Sequence, residues 1–370
     1  MRRYRVLGAV TSALVWVVMG QAQTAEQPHA PGISPAPNKA ATDTRMLLPY
    51  GSNRRMSIDV VITDQLGKQI PGLTAEDFTI NDNKQPQKLA AFHATVRTVA
   101  PSDPPVEVML VLDEYNEGVA EVSHEREELR KFLTKNNGRL TIPISLTVFS
   151  NSGVRATNPT LNGNALGAYV DQIKMEIHSI ARSAGGYGAM ERANRSIDAL
   201  GDIVTSDDAR RPGRKLLIWM GAGWPVITSS ALMAQLTRKQ EDAAFGAAVR
   251  AANLLRMSRI TLYTANTVNT DTGVDANYHS YLKAATSGKD IVFGDLGLEV
   301  ISAQSGGQVL NGSTDLEEDL NKCISDANAF YTLSFDAPPA EHADEYHAMS
   351  VTVDKPGLTA RTITGYYSQP

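Results

Sequence analysis

The chain has one cysteine in 370 residues, Cys323, so no disulfide can form within it. No sign of charge dominates. Lys and Arg number 35 against 40 Asp and Glu, and that slightly acidic balance excludes a dedicated nucleic-acid surface. Beyond the first two dozen residues no apolar run could span a membrane. There is no Gly-x-Ser-x-Gly, His-Glu-x-x-His or phosphate loop. Gly221-Ala222-Gly223 lacks the third glycine of a dinucleotide fingerprint, because position 226 is Val226. The basic run Arg210 to Lys215 has no interleaved aromatics and reads as a surface turn.

The first 22 residues have the form of an export signal. Arg2, Arg3 and Arg5 make the positive end, Val6 to Met19 the apolar stretch, and Gly20-Gln21-Ala22 a small-residue cleavage site. As a helix that stretch is about 21 Å long, short of the ~30 Å of a bilayer's hydrocarbon. The expectation is a cleaved signal and an exported chain with no membrane span, in a periplasm, cell envelope or extracellular space. Residues 23–50, with Pro28, Pro31, Pro35 and Pro37, read as a flexible linker.

The organising stretch is Val106 to Glu117. Val106 to Leu112 is an apolar run of the kind a parallel sheet buries on both faces. Asp113 ends it, at the position where open α/β sheets place ligands. Strands are expected at 142–149, 215–220, 260–263 and 308–310. Helices are expected at 119–136, 164–180, 188–204, 229–256, 277–286, 295–305 and 315–328. This alternation predicts a doubly wound, mainly parallel sheet over 104–328.

Both flanks read as β. In 51–103, Met56, Ile58, Val60 and Ile62 alternate as a half-buried strand. Thr74 and Asp77 have capping-box spacing. Phe78 to Ile80 and Gln87 to Phe92 suggest a hairpin, and Pro101, Pro104 and Pro105 mark a boundary. In 329–370, Phe330 to Phe335 is a strand, and Tyr346 to Asp354 with Thr359 to Tyr367 suggest a second hairpin. The economical arrangement packs the two flanks together as a smaller all-β domain. Cys323 shares a helical face with Leu316, Leu320, Ile324 and Ala327 and reads as core. His342 and His347, near Asp344 and Glu345, match no metal spacing and read as a solvated approach to the hairpin.

Four segments carry a resemblance. They are Ile58 to Asp64 running on to Gly72 to Phe78, Leu110-Val111-Leu112-Asp113 with Asn116, Arg211-Pro212-Gly213-Arg214-Lys215, and Ser305-Gly306-Gly307 with Lys355-Pro356-Gly357-Leu358 and Gly365-Tyr366-Tyr367. In this order the chain resembles the von Willebrand factor type A fold, and more narrowly the VWFA-related domain proteins of Acidobacteria. The resemblance implies a type A domain in a secreted or envelope protein. Such domains often hold Mg²⁺ at a metal-ion-dependent adhesion site built from Asp-x-Ser-x-Ser, a Thr and a second Asp, and bind proteins through it.

Here Asp113 fits the leading position. Tyr115 and Glu117 stand at the two serines, Tyr187 at the Thr and Ala222 at the second Asp. One position of five survives by type, so the site reads as degenerate. A rearranged metal site would draw on Asp113, Glu114, Asn116 and Glu117. The expectation is no cofactor and a non-catalytic adhesion or scaffold module. Its rim, Asp113, Glu114, Tyr115, Asn116, Glu117, Tyr187 and Trp224, would grip a protein, with the aromatics as anchors or as ordinary rim packing. The alternative is an exported hydrolase using Asp113 and Glu114, for which the sequence supplies no paired partner.

Overall fold

Strand β1 (Arg55–Thr63) buries Met56, Ile58, Val60 and Ile62 on one face, as the alternation requires. A computed structural model describes residues 54–97, 105–178, 185–206, 209–224, 237–266, 278–311 and 313–370, with backbone alone at 185–187 and 189. The export signal, the linker, Pro101, Pro104 and the first part of the 229–256 helix lie outside the described residues.

β2 (Phe78–Asp82) and β3 (Gln85–Gln87) are joined by Asn83 and Lys84, both at positive φ (48° and 66°), the turn that matches strand twist. The expected partner of β2 stops at Gln87. β4 (Leu89–Val96) leaves for another sheet, where Phe92 meets Phe78 and Tyr331 at ring distances of 5.7 and 5.8 Å. The apolar layer between two sheets outweighs a simple hairpin.

Then comes the α/β body. Its strands are β5 (Glu107–Asp113), β6 (Arg139–Ser150), β7 (Gly153–Ala156), β8 (Thr160–Asn162), β9 (Lys215–Met220), β10 (Ile260–Asn266) and β11 (Val309–Asn311). Its helices are α1 (Val119–Thr134), α2 (Gly163–Gln172), α3 (Gly185–Thr205), α4 (Arg238–Met257), α5 (Leu298–Gln304) and α6 (Leu316–Ser325). The sheet order is β11-β10-β9-β5-β6-β7, with β8 also on β6. β5 pairs in parallel with β6 and β9, and β9-β10-β11 continue in parallel. β7 and β8 run antiparallel to β6.

All seven residues of β5 are buried, because each face is covered. Val108, Leu110 and Leu112 pack with Leu129 and Leu133 of α1, Leu166 of α2 and Leu320 of α6. Met109 and Val111 pack with Leu200 and Ile203 of α3, Leu255 of α4 and Ile301 of α5. The chain leaves β5 for β6 on one side and later returns to β9 on the other. That reversal makes the carboxyl ends of β5 and β9 the switch point of the sheet.

Three helical expectations shorten. The run 164–180 is helical only to Gln172, and Ile173 is extended (ψ 124°). In 277–286 there is one 3-10 turn, Tyr278–Tyr281. Gly297 (ψ 142°) splits 295–305 into the 3-10 turn Phe293–Leu296 and α5.

The flanks interleave. β12 (Ala329–Asp336), β13 (Glu345–Val353), β14 (Thr359–Arg361) and β15 (Gly365–Ser368) follow α6. One sheet is β14-β1-β12-β4, the other β15-β13-β2-β3. β13 pairs with β15 only over Glu345 to Ala348 and β14 joins β1, so the second expected hairpin is split between sheets. Met56, Ile58, Phe78, Ile80, Leu333, Phe335 and Val351 fill the layer between them.

This sandwich meets the amino edge of the central sheet. Arg259, just before β10, pairs with Asp59 of β1 at 2.6 Å, and Arg361 pairs with buried Asp326 at 2.5 Å. Asp326 also accepts from Tyr263 at 2.8 Å. Arg214 and Lys215, expected on a surface turn, are buried in this seam. Arg214 donates to the Asp326 carbonyl, and the Lys215 ammonium to the carbonyls of Arg211, Gly213 and Ser258. His347 is buried too, with Nδ1 2.8 Å from Asp82, which corrects the solvated reading.

Candidate functional site at the carboxyl edge

Asp113 ends β5 in register with Phe149 of β6, with Met220 of β9 beside Leu112. Its side chain is fully buried. A carboxylate offers about four acceptor directions, and four donors take them. Oδ1 accepts the backbone N–H groups of Tyr115 (3.0 Å) and Asn116 (2.9 Å). Oδ2 accepts the Asn116 amide (2.7 Å) and the Trp219 indole N–H (2.8 Å). Burial pushes this carboxyl up to about 6, against the lowering effect of the Asn116 and Trp219 hydrogen bonds.

The rest of the loop also turns inward. Glu114 is buried and ion-paired with Arg126 of α1, and it accepts the Glu176 N–H at 3.1 Å. Asn116 donates on to Ser196 of α3 at 2.9 Å. Tyr115 lies between Phe149 (4.9 Å) and His178 (4.1 Å) and donates its hydroxyl to Glu191 at 2.6 Å. His178 in turn reaches Glu191 at 3.1 Å and Asn151 at 2.8 Å.

The loop after β9 closes the other side. The Ala222 N–H donates to Glu117. Gly221 has φ +97°, and a Cβ there would stand 3.2 Å from both the Glu117 and Glu125 carboxylates. Gly223 has φ +57°, and its Cβ would stand 2.3 Å from Leu298. The two glycines answer backbone geometry and close approach, with no role for a dinucleotide. Trp224 is buried, packs edge-on to Trp219 at 5.2 Å and donates to the Leu296 carbonyl at 2.7 Å.

The expected gripping residues that can be described lie inside the fold. Asp113, Glu114, Tyr115, Asn116, Glu117 and Trp224 are brought together, but each is buried and holds the loops in place. Tyr187 falls in the first turn of α3, and its side chain lies outside the described residues. Several polar residues of the corner escaped sequence reading, among them Ser196, Glu191 and His178, and two others show why. Trp219 sits inside an apolar strand, where its indole N–H gives no sign of a partner. Arg126 sits on the charged face of α1 and signals only an ordinary solvated helix.

The donor set does not fit Mg²⁺. A hard dication needs oxygen lone pairs pointing at it, and those of Asp113 point at N–H groups. Ala222 contributes a donor where a type A domain contributes an acceptor. Among the described residues no group of three or more His, Cys, Asp or Glu is placed to hold a metal ion.

Strand order and two helical layers make a doubly wound, mainly parallel α/β fold with a carboxylate at its switch point, the architecture that the resemblance to the von Willebrand factor A fold implied. No family model matches the chain, and no curated protein matches it. Solved structures similar to it include an aerotolerance-related membrane protein from Bacteroides fragilis, at 11% identity over 59% of this chain and 98% of that one, with a TM-score of 0.30. The conserved hypothetical protein BatB from Bacteroides thetaiotaomicron has 12% identity over 60% and 98%, with a TM-score of 0.31. The VWA domain of SpRpn10 has 9% identity over 58% and 92%, with a TM-score of 0.26. The chemistry of the corner rests on its own residues. Among the described residues no helix is long and apolar enough to cross a membrane.

Proposed function

We propose that the chain is an exported, non-catalytic protein-binding module of the von Willebrand factor A type, in an adhesion or scaffold role, whose carboxyl-edge corner works without a metal. One observation carries this reading: all four acceptor directions of Asp113 are filled by Tyr115, Asn116 and Trp219. A carboxylate bound in this way cannot bridge an ion to a partner's acid. It can fix its own loop against β9, and a fixed surface is what a protein partner recognises at least entropic cost.

The buried loop residues shape the rim, and the partner meets what they present. Val119 opens α1 directly after the corner loop and is 62% exposed, while Ala222 is half-buried. The hydrolase alternative is disfavoured by the same geometry. Glu114 is held by Arg126 and the Glu176 N–H, and Asp113 by its four donors, so neither is poised for proton transfer.

The test is capture of partners from envelope extract with and without EDTA, comparing the natural chain with Val119→Glu. The reading expects one stoichiometric protein, EDTA-insensitive and depleted by the substitution. Capture abolished by EDTA would overturn the metal-free corner. Turnover of a substrate lost on Asp113→Ala would overturn the non-catalytic assignment.

A further inference from the structure

Each sheet edge carries a row of backbone N–H and C=O groups that another strand can pair with, and proteins usually blunt such edges. Most edges here are blunted by length or by a residue. β3 has three residues and contains Pro86, β14 and β11 have three, and β15 has four. β7 has four and carries exposed Arg155. β4 differs. It is eight residues long, Leu-Ala-Ala-Phe-His-Ala-Thr-Val, with no Asp, Glu, Lys, Arg or Pro. It ends its sheet, with β12 as its one ladder neighbour among the described residues.

The ladder with β12 steps from Ser334 opposite Ala91 to Phe335 opposite Leu89, so Ala90 is a bulge at the strand's start. Beyond it the register is regular from Ala91 to Val96, and the Arg97 N–H extends the ladder to the Asn328 carbonyl at 2.8 Å. Ala91, His93, Ala94 and Val96 are exposed along this run.

We propose that this edge docks a second copy of the chain through antiparallel β4–β4 pairing about a two-fold axis, joining two four-stranded sheets into one of eight strands. A second copy fits because the edge lacks the charge that would make it reject itself. Outward-turned residues alternate along a strand, so a symmetric pair must place its axis through a residue and not between two. An axis at Ala94 sets His93 opposite Thr95, Phe92 opposite Val96 and Ala91 opposite Arg97. No ionisable side chain then faces its own copy, and the smallest side chain lies on the axis. An axis at His93 would set imidazole against imidazole, and one at Thr95 would set His93 against Arg97, whereas the Ala94 axis has neither and is centred on the regular run from Ala91 to Arg97.

Light scattering and sedimentation of the full chain test this, with hydrogen exchange on β4. The expected result is a dimer whose β4 amides are protected at high concentration and exchange faster on dilution. His93→Lys with Thr95→Lys sets lysine opposite lysine twice and should give a monomer with unchanged circular dichroism. His93→Glu with Thr95→Lys sets opposite charges face to face in the Ala94 register and should restore the dimer. A natural chain that stays monomeric at high micromolar concentration would overturn the proposal. A double-lysine chain that stays dimeric, or a Glu/Lys chain that stays monomeric, would also overturn it.

Discussion

Two buried acids at opposite edges of the central sheet, Asp326 and Asp113, are held in opposite ways, although Glu114 beside Asp113 is itself paired with Arg126. At the amino edge, carboxylates meet cations: Asp326 with Arg361, and Asp59 with Arg259. At the carboxyl edge, Asp113 meets only neutral donors. The first arrangement fastens the sandwich to the α/β body. The second leaves an acid in a site where its charge is costly, and burial raises the carboxyl to about 6. An edge that joins two bodies needs matched charge. A buried acid with no cation beside it can stay once N–H groups take its oxygens.

Substitutions should separate the edges by size of effect. Asp326→Ala strips the carboxylate from half-buried Arg361 and buried Tyr263. Removing one partner of a buried pair costs about 3 to 5 kcal/mol, so denaturant unfolding should show the largest loss here. At the other edge the probe is pH. Folded Asp113 keeps its proton up to about 6, while the unfolded chain releases it near the ordinary 3.8. Between those values the folded state binds more protons, so this group's contribution to stability falls as pH rises and is level above about 6. The fall is about 3 kcal/mol at most. Unfolding curves at steps of pH should show it in the natural chain and not in Asp113→Asn.

Smaller effects sharpen the contrast. Tyr115→Phe removes the hydroxyl bond to Glu191 but keeps the stack between Phe149 and His178. It should cost about 1 kcal/mol, read as a modest drop in melting temperature. Glu127→Ala breaks an exposed i,i+4 pair with Lys131 at 2.9 Å. Because Lys131 also reaches Glu128 at 2.9 Å, no measurable change in melting temperature is expected.

The parallel body was legible because its signals are local. An unbroken apolar run such as Val106 to Leu112 admits few readings, and Asp113 at its end was visible as the corner. The sandwich was harder to read. Which strand pairs with which depends on contacts hundreds of residues apart, such as Arg55 with Asp336, and hairpin signals cannot record a strand that changes sheets. Burial of the corner was illegible for a related reason. Acidic residues in a loop suggest solvent, and only the fold brings Arg126 to Glu114, Trp219 to Asp113 and Ala222 to Glu117. Arg214 and Lys215 misled in the same way, because a basic turn becomes a buried seam once the Asp326 and Ser258 carbonyls and the Phe330 ring close on it.

The most direct test of the metal-free corner is titration calorimetry of the full chain with Mg²⁺, Mn²⁺ and Ca²⁺, paired with thermal melting in EDTA. The account predicts no saturable heat and the same melting temperature with and without chelator. Saturable binding near micromolar that vanishes on Asp113→Ala would contradict it.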